Sequence, residues 1–348
     1  MSATTTNKAA LLNAAATPLV IDTLPIPKPG AGEVLIRNHA IAVNPVDWKR
    51  QAWGFAIPSY PAVLGSDVTG VVESVGPDVT AFKAGDRVIG YASGFATGEN
   101  GHGAFQSYTI TPVITTAKLP DNISFEKGAL IPMGGGTASV GLFKNLGLAR
   151  PTSAPANKQD SILLVWGGSG SVGTMVIQLA NLIGFTVFAT ASPAQHKYLK
   201  TLGASQLFDY HSPTIVDDIV SAAKAVGKPI SYAFDAVSEP GTLQPAAEVL
   251  IKSGGKDPKL SHVLPWPETV PEVKGLSASS ISGESLWTSE KALGNWLFNN
   301  FITSALEKGT IVPSPEVQVV QGGLEALQGA MDQVRAGVHA KKLVIKLS

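Results

Sequence analysis

The residues with the clearest chemistry form one run, Ile162-Leu163-Leu164-Val165-Trp166-Gly167-Gly168-Ser169-Gly170-Ser171-Val172-Gly173. An apolar stretch turns sharply on glycines and opens a second apolar segment, Val176 to Leu182, so the pattern predicts a buried strand, a tight turn and a helix. Gly168, Gly170 and Gly173 spell G-x-G-x-x-G. In a dinucleotide site the first glycine permits the turn, the second lets backbone approach a pyrophosphate, and the third lets helix and strand pack closely. The amides of the first helical turn then face the phosphates with the positive end of the helix dipole behind them. Gly168, Ser169, Gly170, Ser171, Val172 and Gly173 are therefore expected around a pyrophosphate.

The next apolar segment, Thr186 to Thr190, stands about twenty residues on, where such a unit recognises the adenosine ribose. It ends without an acid. Thr190, Ala191 and Ser192 occupy that ground, and His196, Lys197 and Lys200 follow. Without a carboxylate a 2′-phosphate meets no repulsion, and hydroxyls and amines supply donors to it, so NADPH is expected over NADH. Ser192 is the expected neighbour of the 2′-phosphate. A later strand reads from Ser231 to Val237, which places Val237 and Ser238 against a ribose.

The rest of the chain must position this turn. At 348 residues it exceeds the usual size of a single core, and two domains are expected. From Ala9 to about Phe125 the pattern is short, β-like and broken by glycine and proline, with strands expected at 32–37, 68–75 and 85–90. From about 126 the rhythm changes to strands separated by helical stretches such as Asp217 to Val226, which suits a parallel sheet with crossover helices. Residues 150–160 read as an exposed connector. Beyond 275, helices are expected at 290–306 and from 323, and Lys341 to Ile345 closes the chain as a strand returning to the first domain. The expected division is 1–125, 126–275 and 276–348.

Composition excludes several function classes. The 26 basic and 26 acidic residues balance, so no basic face marks a nucleic-acid partner. There is no cysteine, which removes disulfides, thiol catalysis and thiolate metal sites together. The histidines at 39, 102, 196, 211, 262 and 339 show no ligand spacing, and no metal site is expected. No apolar stretch reaches the length of a membrane span, and no secretory signal opens the chain; a soluble cytoplasmic protein is the expectation.

Several further motifs carry a resemblance: Asn44-Pro45-Val46-Asp47-Trp48-Lys49, the run Pro61 to Val72 with Gly65-Ser66-Asp67, Gly85-Asp86-Arg87-Val88, Gly103-Ala104-Phe105, Leu202-Gly203-Ala204 and Phe208-Asp209-Tyr210. Together with the glycine turn, their order resembles the medium-chain dehydrogenase/reductase superfamily in its zinc-free quinone-reductase and fungal enoyl-reductase branches. The resemblance implies a GroES-like irregular barrel domain built from both chain ends, with an inserted Rossmann domain whose sheet is parallel and doubly wound. It implies hydride transfer from NADPH to a conjugated carbonyl, enoyl or quinone acceptor.

It also assigns residues. Tyr210 matches a tyrosine near the adenosine phosphate, and Lys197 stands one residue out of the common register with Ser192. Asn44, Asp47 and Lys49 match a segment facing the nicotinamide, and Thr137 follows Gly134-Gly135-Gly136. Lys49 is the preferred general acid or oxyanion partner with Asp47 orienting it, Asn44 an alternative ribose contact; Trp53 and Tyr60 stand outside this set. Zinc alcohol dehydrogenases carry a cysteine in the Asn44 region and Gly-His-Glu at Gly65-Ser66-Asp67, so a zinc-type activity is disfavoured. The fungal branch includes reductases acting in trans on carrier-bound polyketides, which makes an acyl-carrier protein a candidate partner beside small enones, quinones and enoyl thioesters. A non-catalytic NADPH-binding protein is the remaining alternative, and both monomer and homodimer stay open.

Overall fold

The pattern of strands and helices resolves into two units in the computed structural model, which describes residues 6–152 and 156–347. One unit joins both ends of the chain, Met1–Gly136 with Glu284–Ser348, and the other is the intervening Thr137–Gly283.

The first unit is an irregular antiparallel β domain whose spine is the strand Glu33–Ala42. Asp67–Val75 pairs along its length, Tyr108–Pro112 pairs its first half and the closing strand Lys341–Lys346 pairs its last residues. The register slips between Leu35 and Ile36 and between Asn38 and Ala40. Asn38 is buried at the second slip, where its amide donates to Gln106 O at 2.7 Å and Thr109 Oγ1 at 2.8 Å, replacing interrupted ladder bonds. Lys341–Lys346 also receives Glu316–Val320 in parallel, so it lies inside the sheet rather than on an edge. Alternation decides which lysine is solvated: Lys341 is exposed and Lys342 is buried. Leu12, Ile36, Ile41, Leu64 and Phe105 fill the core between this sheet and a smaller one of Leu19–Leu24, Asn7–Leu12 and Ala62–Val63.

The second unit is a six-stranded sheet in which every pairing is parallel. By chain order its strands lie third, second, first, fourth, fifth, sixth: Ala204–Phe208, Thr186–Thr190, Ile162–Trp166, Ile230–Asp235, Lys259–His262 and Ser277–Ser280. That is the Rossmann order, with its switch point between Ile162–Trp166 and Ile230–Asp235. Ile162–Trp166 is buried throughout, as a central strand covered on both faces must be. Helices Ser171–Leu182, His196–Thr201, Ile215–Val226 and Leu243–Lys252 supply the crossovers.

The units change at 136/137 and 283/284, whereas the sequence pattern puts the changes at 125/126 and 275/276. The sixth strand, Ser277-Ala278-Ser279-Ser280, explains the later boundary: it has no β-branched or aromatic residue to announce it, yet pairs fully with Lys259–His262. Of the 150–160 connector, residues 153–155 lie outside the described residues. Its far end packs closely, with Gln159 N–H donating to Gly184 O at 3.0 Å and Lys228 Nζ to Gln159 O at 2.6 Å.

Gly65 links Ala62–Val63 to Asp67–Val75 with φ of +88°, and a Cβ there would stand 2.3 Å from the Phe105 ring. Gly65→Ala is expected to lower stability by about 2 kcal/mol or more through strain and overpacking, read as a drop in the urea midpoint.

Candidate functional site

The glycine turn is tied to the second strand before it reaches the helix. Gly167 N–H donates to Thr190 Oγ1 at 3.0 Å and Gly168 N–H to Thr190 O at 2.8 Å. The left-handed residue is Gly167, with φ of +79°, one position ahead of the fingerprint. The turn freedom expected of Gly168 is therefore used at Gly167, because the chain must reverse while Gly168 still bonds to Thr190. Gly168 instead packs tightly, a Cβ there meeting Ala189 and Ile177 at 3.1 Å. Gly173 does what the pattern predicts: a Cβ there would lie 2.2 Å from Gly167 O, so only glycine lets the helix approach the turn. Gly170 precedes the twelve-residue helix Ser171–Leu182 and is exposed, with open space where a Cβ would stand. Thr174 N–H makes the first helical bond, to Gly170 O at 2.9 Å, leaving the amides of Ser171, Val172 and Gly173 without an intrahelical acceptor. Ser169, Ser171 and Val172 are partly exposed at this terminus. Open amides, a positive dipole end and a missing side chain fit a pyrophosphate.

Beyond Thr190, Ser192 is partly exposed, Lys197 lies exposed on His196–Thr201, and Tyr210 is exposed after the third strand. Val237 packs on Gly167, its Cγ2 standing 2.3 Å from where a Cβ would project. Ser238 departs from expectation. Its hydroxyl donates to Asp235 O at 3.2 Å and accepts Val263 N–H at 3.0 Å inside the protein, so it offers no side chain to a ribose. The organiser is Asp235, absent from the sequence-derived set. It accepts from Val237 N–H, Ser238 N–H and Thr242 Oγ1 at 2.9, 2.8 and 2.6 Å and shapes the loop that carries Val237. Burial outweighs these bonds and raises its carboxyl above the usual range.

In the first unit, Asn44 precedes the helix Pro45–Trp53. Asp47 Oδ2 accepts Asn44 N–H at 2.8 Å while Asp47 N–H donates to Asn44 O at 3.0 Å. The Asn44 side-chain amide donates to Asp67 Oδ2 at 2.9 Å, and the Lys342 ammonium pairs with the same oxygen. Asp67 Oδ1 accepts Met133 N–H at 2.7 Å. Asn44, Asp47, Asp67 and Lys342 are all at most 4 % exposed. Burial, reinforced by the Asp67 charge and opposed by the Asn44 bond, pushes the Asp47 carboxyl up to about 7. Its Oδ1 has no partner. Tyr91 lies near both carboxylates, its ring tilted against Trp287 with centroids 4.4 Å apart, and burial drives its phenol above its usual range.

Lys49 does not join this network. Its ammonium stands 5.6 Å from the centre of the Trp48 ring, and Asp47 spends its bonded oxygen on Asn44. Residues two apart on a helix point to different faces, which rules out the expected orienting of Lys49 by Asp47. The buried lysine is Lys342, a residue the sequence pattern assigns only to strand closure. Trp53 and Tyr60 are exposed, and Thr137 is the first residue of the second unit, on the helix Pro132–Ser139.

The residues do not fit zinc. Asp67 has both oxygens engaged, Asn44 is a neutral amide bonded to it, and no group of three His, Asp or Glu side chains converges among the described residues. No helix among them is long and apolar enough to cross a membrane.

Comparison with known proteins agrees with this geometry. Residues 30–121 match the alcohol dehydrogenase GroES-like domain and residues 171–256 the zinc-binding dehydrogenase family. The chain is 38% identical to dehydrogenase pigH of Monascus ruber, covering 98% of this chain and all of pigH. It is also 38% identical to trans-enoyl reductase tndF of Aspergillus flavipes, covering 98% and 99% of the two chains. A solved alcohol dehydrogenase superfamily protein from Novosphingobium aromaticivorans shares the fold, with a TM-score of 0.81 and 23% identity over 98% of this chain and all of that one. The chain belongs to the medium-chain dehydrogenase/reductase superfamily of oxidoreductases, on its zinc-free branch with the quinone oxidoreductases and trans-enoyl reductases.

Gly170→Ala, with room for its methyl group, is expected to keep the melting temperature within a few degrees while weakening dinucleotide binding at least about tenfold, measured by calorimetric titration. Asp47 holds its proton in the folded chain up to about pH 7, while the unfolded carboxyl releases it near 3.8, so its contribution to stability falls as pH rises through that window and is level above it. Asp47→Asn should gain on the wild type by on the order of a few kcal/mol between pH 4.5 and 7.5 in urea titrations; a constant difference would contradict the assignment.

Proposed function

We propose that this protein is a trans-acting enoyl reductase that uses NADPH to saturate the α,β-double bond of a carrier-bound acyl thioester. The observation that carries this reading is the match to trans-enoyl reductase tndF along nearly the whole of both chains. Support comes from the dinucleotide turn and from the absence of a carboxylate at the end of Thr186–Thr190. A dinucleotide held at that turn would supply hydride chemistry to the acceptor.

The remaining work falls to side chains. Negative charge develops on the thioester oxygen and the α-carbon must then receive a proton. Lys49, held at the helix surface by the Trp48 ring, is the proposed donor to that charge and proton source. Asn44 is buried with its amide bonded to Asp67, and its proposed role is to hold the start of the helix that carries Lys49 without reorganising. Thr137 is the further residue proposed to contribute a hydroxyl. Ser192, Lys197 and Tyr210 are the proposed contacts of the 2′-phosphate, and the acyl-carrier protein is the proposed partner.

The test follows NADPH oxidation against enoyl thioesters, free and carrier-bound, with enones and quinones in parallel. Enoyl thioesters should turn over, fastest on the carrier, with NADPH preferred to NADH and no effect of EDTA. Lys49→Met should lower kcat by about a hundredfold with NADPH affinity unchanged. Turnover of quinones alone would overturn the substrate assignment, and an unchanged kcat in Lys49→Met would remove Lys49 from the mechanism.

A further inference from the structure

The acid missing from the end of the second strand is present just beyond the strand beside it, as Asp209. Thr190 and Phe208 stand in parallel register, and Ala191 N–H donates to Phe208 O at 3.0 Å. Ser192 and Asp209 are the next residues out along the two chains. A carboxylate there would repel a 2′-phosphate and accept a hydrogen bond from a 2′-hydroxyl, as the acid of an NAD-specific unit does from the adjoining position.

Asp209 is not left open. Its Oδ1 accepts both the backbone N–H of His211 at 3.1 Å and the Nδ1–H of the same residue at 2.8 Å. The His211 ring lies 4.0 Å from the ring of Tyr210. On the second-strand side, His196 donates through Nε2 to Ala191 O at 3.0 Å, and Lys197 and Lys200 stand exposed on the same short helix. The His211 backbone N–H and imidazole hold the Asp209 carboxyl below its usual range, so the acid is ionised and its charge must be masked rather than removed.

We propose that His211 masks Asp209 and thereby sets the choice between the 2′-phosphate and the 2′-hydroxyl of the dinucleotide. The imidazole and the His211 backbone N–H both occupy Asp209 Oδ1, so a ribose hydroxyl would have to compete with them for that oxygen. This rests on the NADPH reading above and deepens it: the preference comes from an acid held out of use as well as from the cationic residues around it.

The experiment measures dissociation constants of NADP⁺ and NAD⁺ by calorimetry for the wild type, His211→Ala, Asp209→Asn and the double variant. His211→Ala should shift the affinity ratio toward NAD⁺ by roughly fivefold, Asp209→Asn should not shift it that way, and the double variant should return it to the wild-type value or beyond. If His211 only orders the loop, His211→Ala weakens both dinucleotides equally and the ratio stays put, which overturns the proposal. A double variant as shifted as His211→Ala also overturns it. A wild type that prefers NAD⁺ would refute the NADPH reading by itself, while the change of ratio in His211→Ala still decides the masking.

Discussion

The Lys342–Asp67 pair is the interaction on which the first unit depends. Both side chains are buried, and taking two such ions out of water costs several kcal/mol each before their attraction is counted. The cost is offset because every lone pair in use is matched: Lys342 and the Asn44 amide meet one carboxylate oxygen, and Met133 N–H meets the other. Removing either ion alone strands its partner, a loss of about 3–5 kcal/mol in comparable buried pairs. Three distant segments are held by this one carboxylate: the start of the helix Pro45–Trp53, the start of Pro132–Ser139 and the closing strand.

The same pair decides what chemistry this part of the first unit supports. In the zinc-dependent members of the superfamily that the sequence resembles, the corresponding runs supply metal ligands. Here the carboxylate is saturated by a fixed ammonium and an amide, so the positive charge is covalently part of the chain. Asp47, beside it, is left with one oxygen unbonded and a proton that leaves only near neutral pH. The unit therefore carries preorganised dipoles and a half-occupied carboxyl where the zinc-dependent members of the superfamily carry a Lewis acid.

Features that depend on neighbours in the chain were legible from residue order. The strand, glycine turn and helix at 162–182 are local, and Gly173 has the role its spacing predicts because helix and strand meet within a dozen residues. The left-handed residue fell one place earlier, at Gly167, because Thr190 claims both Gly167 and Gly168 through hydrogen bonds that no local pattern reveals. Lys342 and Asp67 lie 275 residues apart, and nothing in a strand ending in lysines says which one turns inward. Ser277–Ser280 escaped notice for a different reason: it is recruited by the edge it joins rather than by its own propensity. Asp235 resembled any acid at a strand end until its three donors were placed around it.

The arrangement of the units along the chain imposes an order on biosynthesis. The parallel-sheet unit is continuous, from Thr137 to Gly283, and has all of its own partners once that stretch has left the ribosome. The unit that flanks it on both sides cannot be finished then, since its sheet still lacks Lys341–Lys346 and Asp67 still lacks its counter-ion. Until Lys341–Lys346 emerges, Glu33–Ala42 must carry an open sheet edge and Asp67 a carboxylate with no cation, which leaves this assembly exposed to wrong pairings while the whole parallel-sheet unit is made.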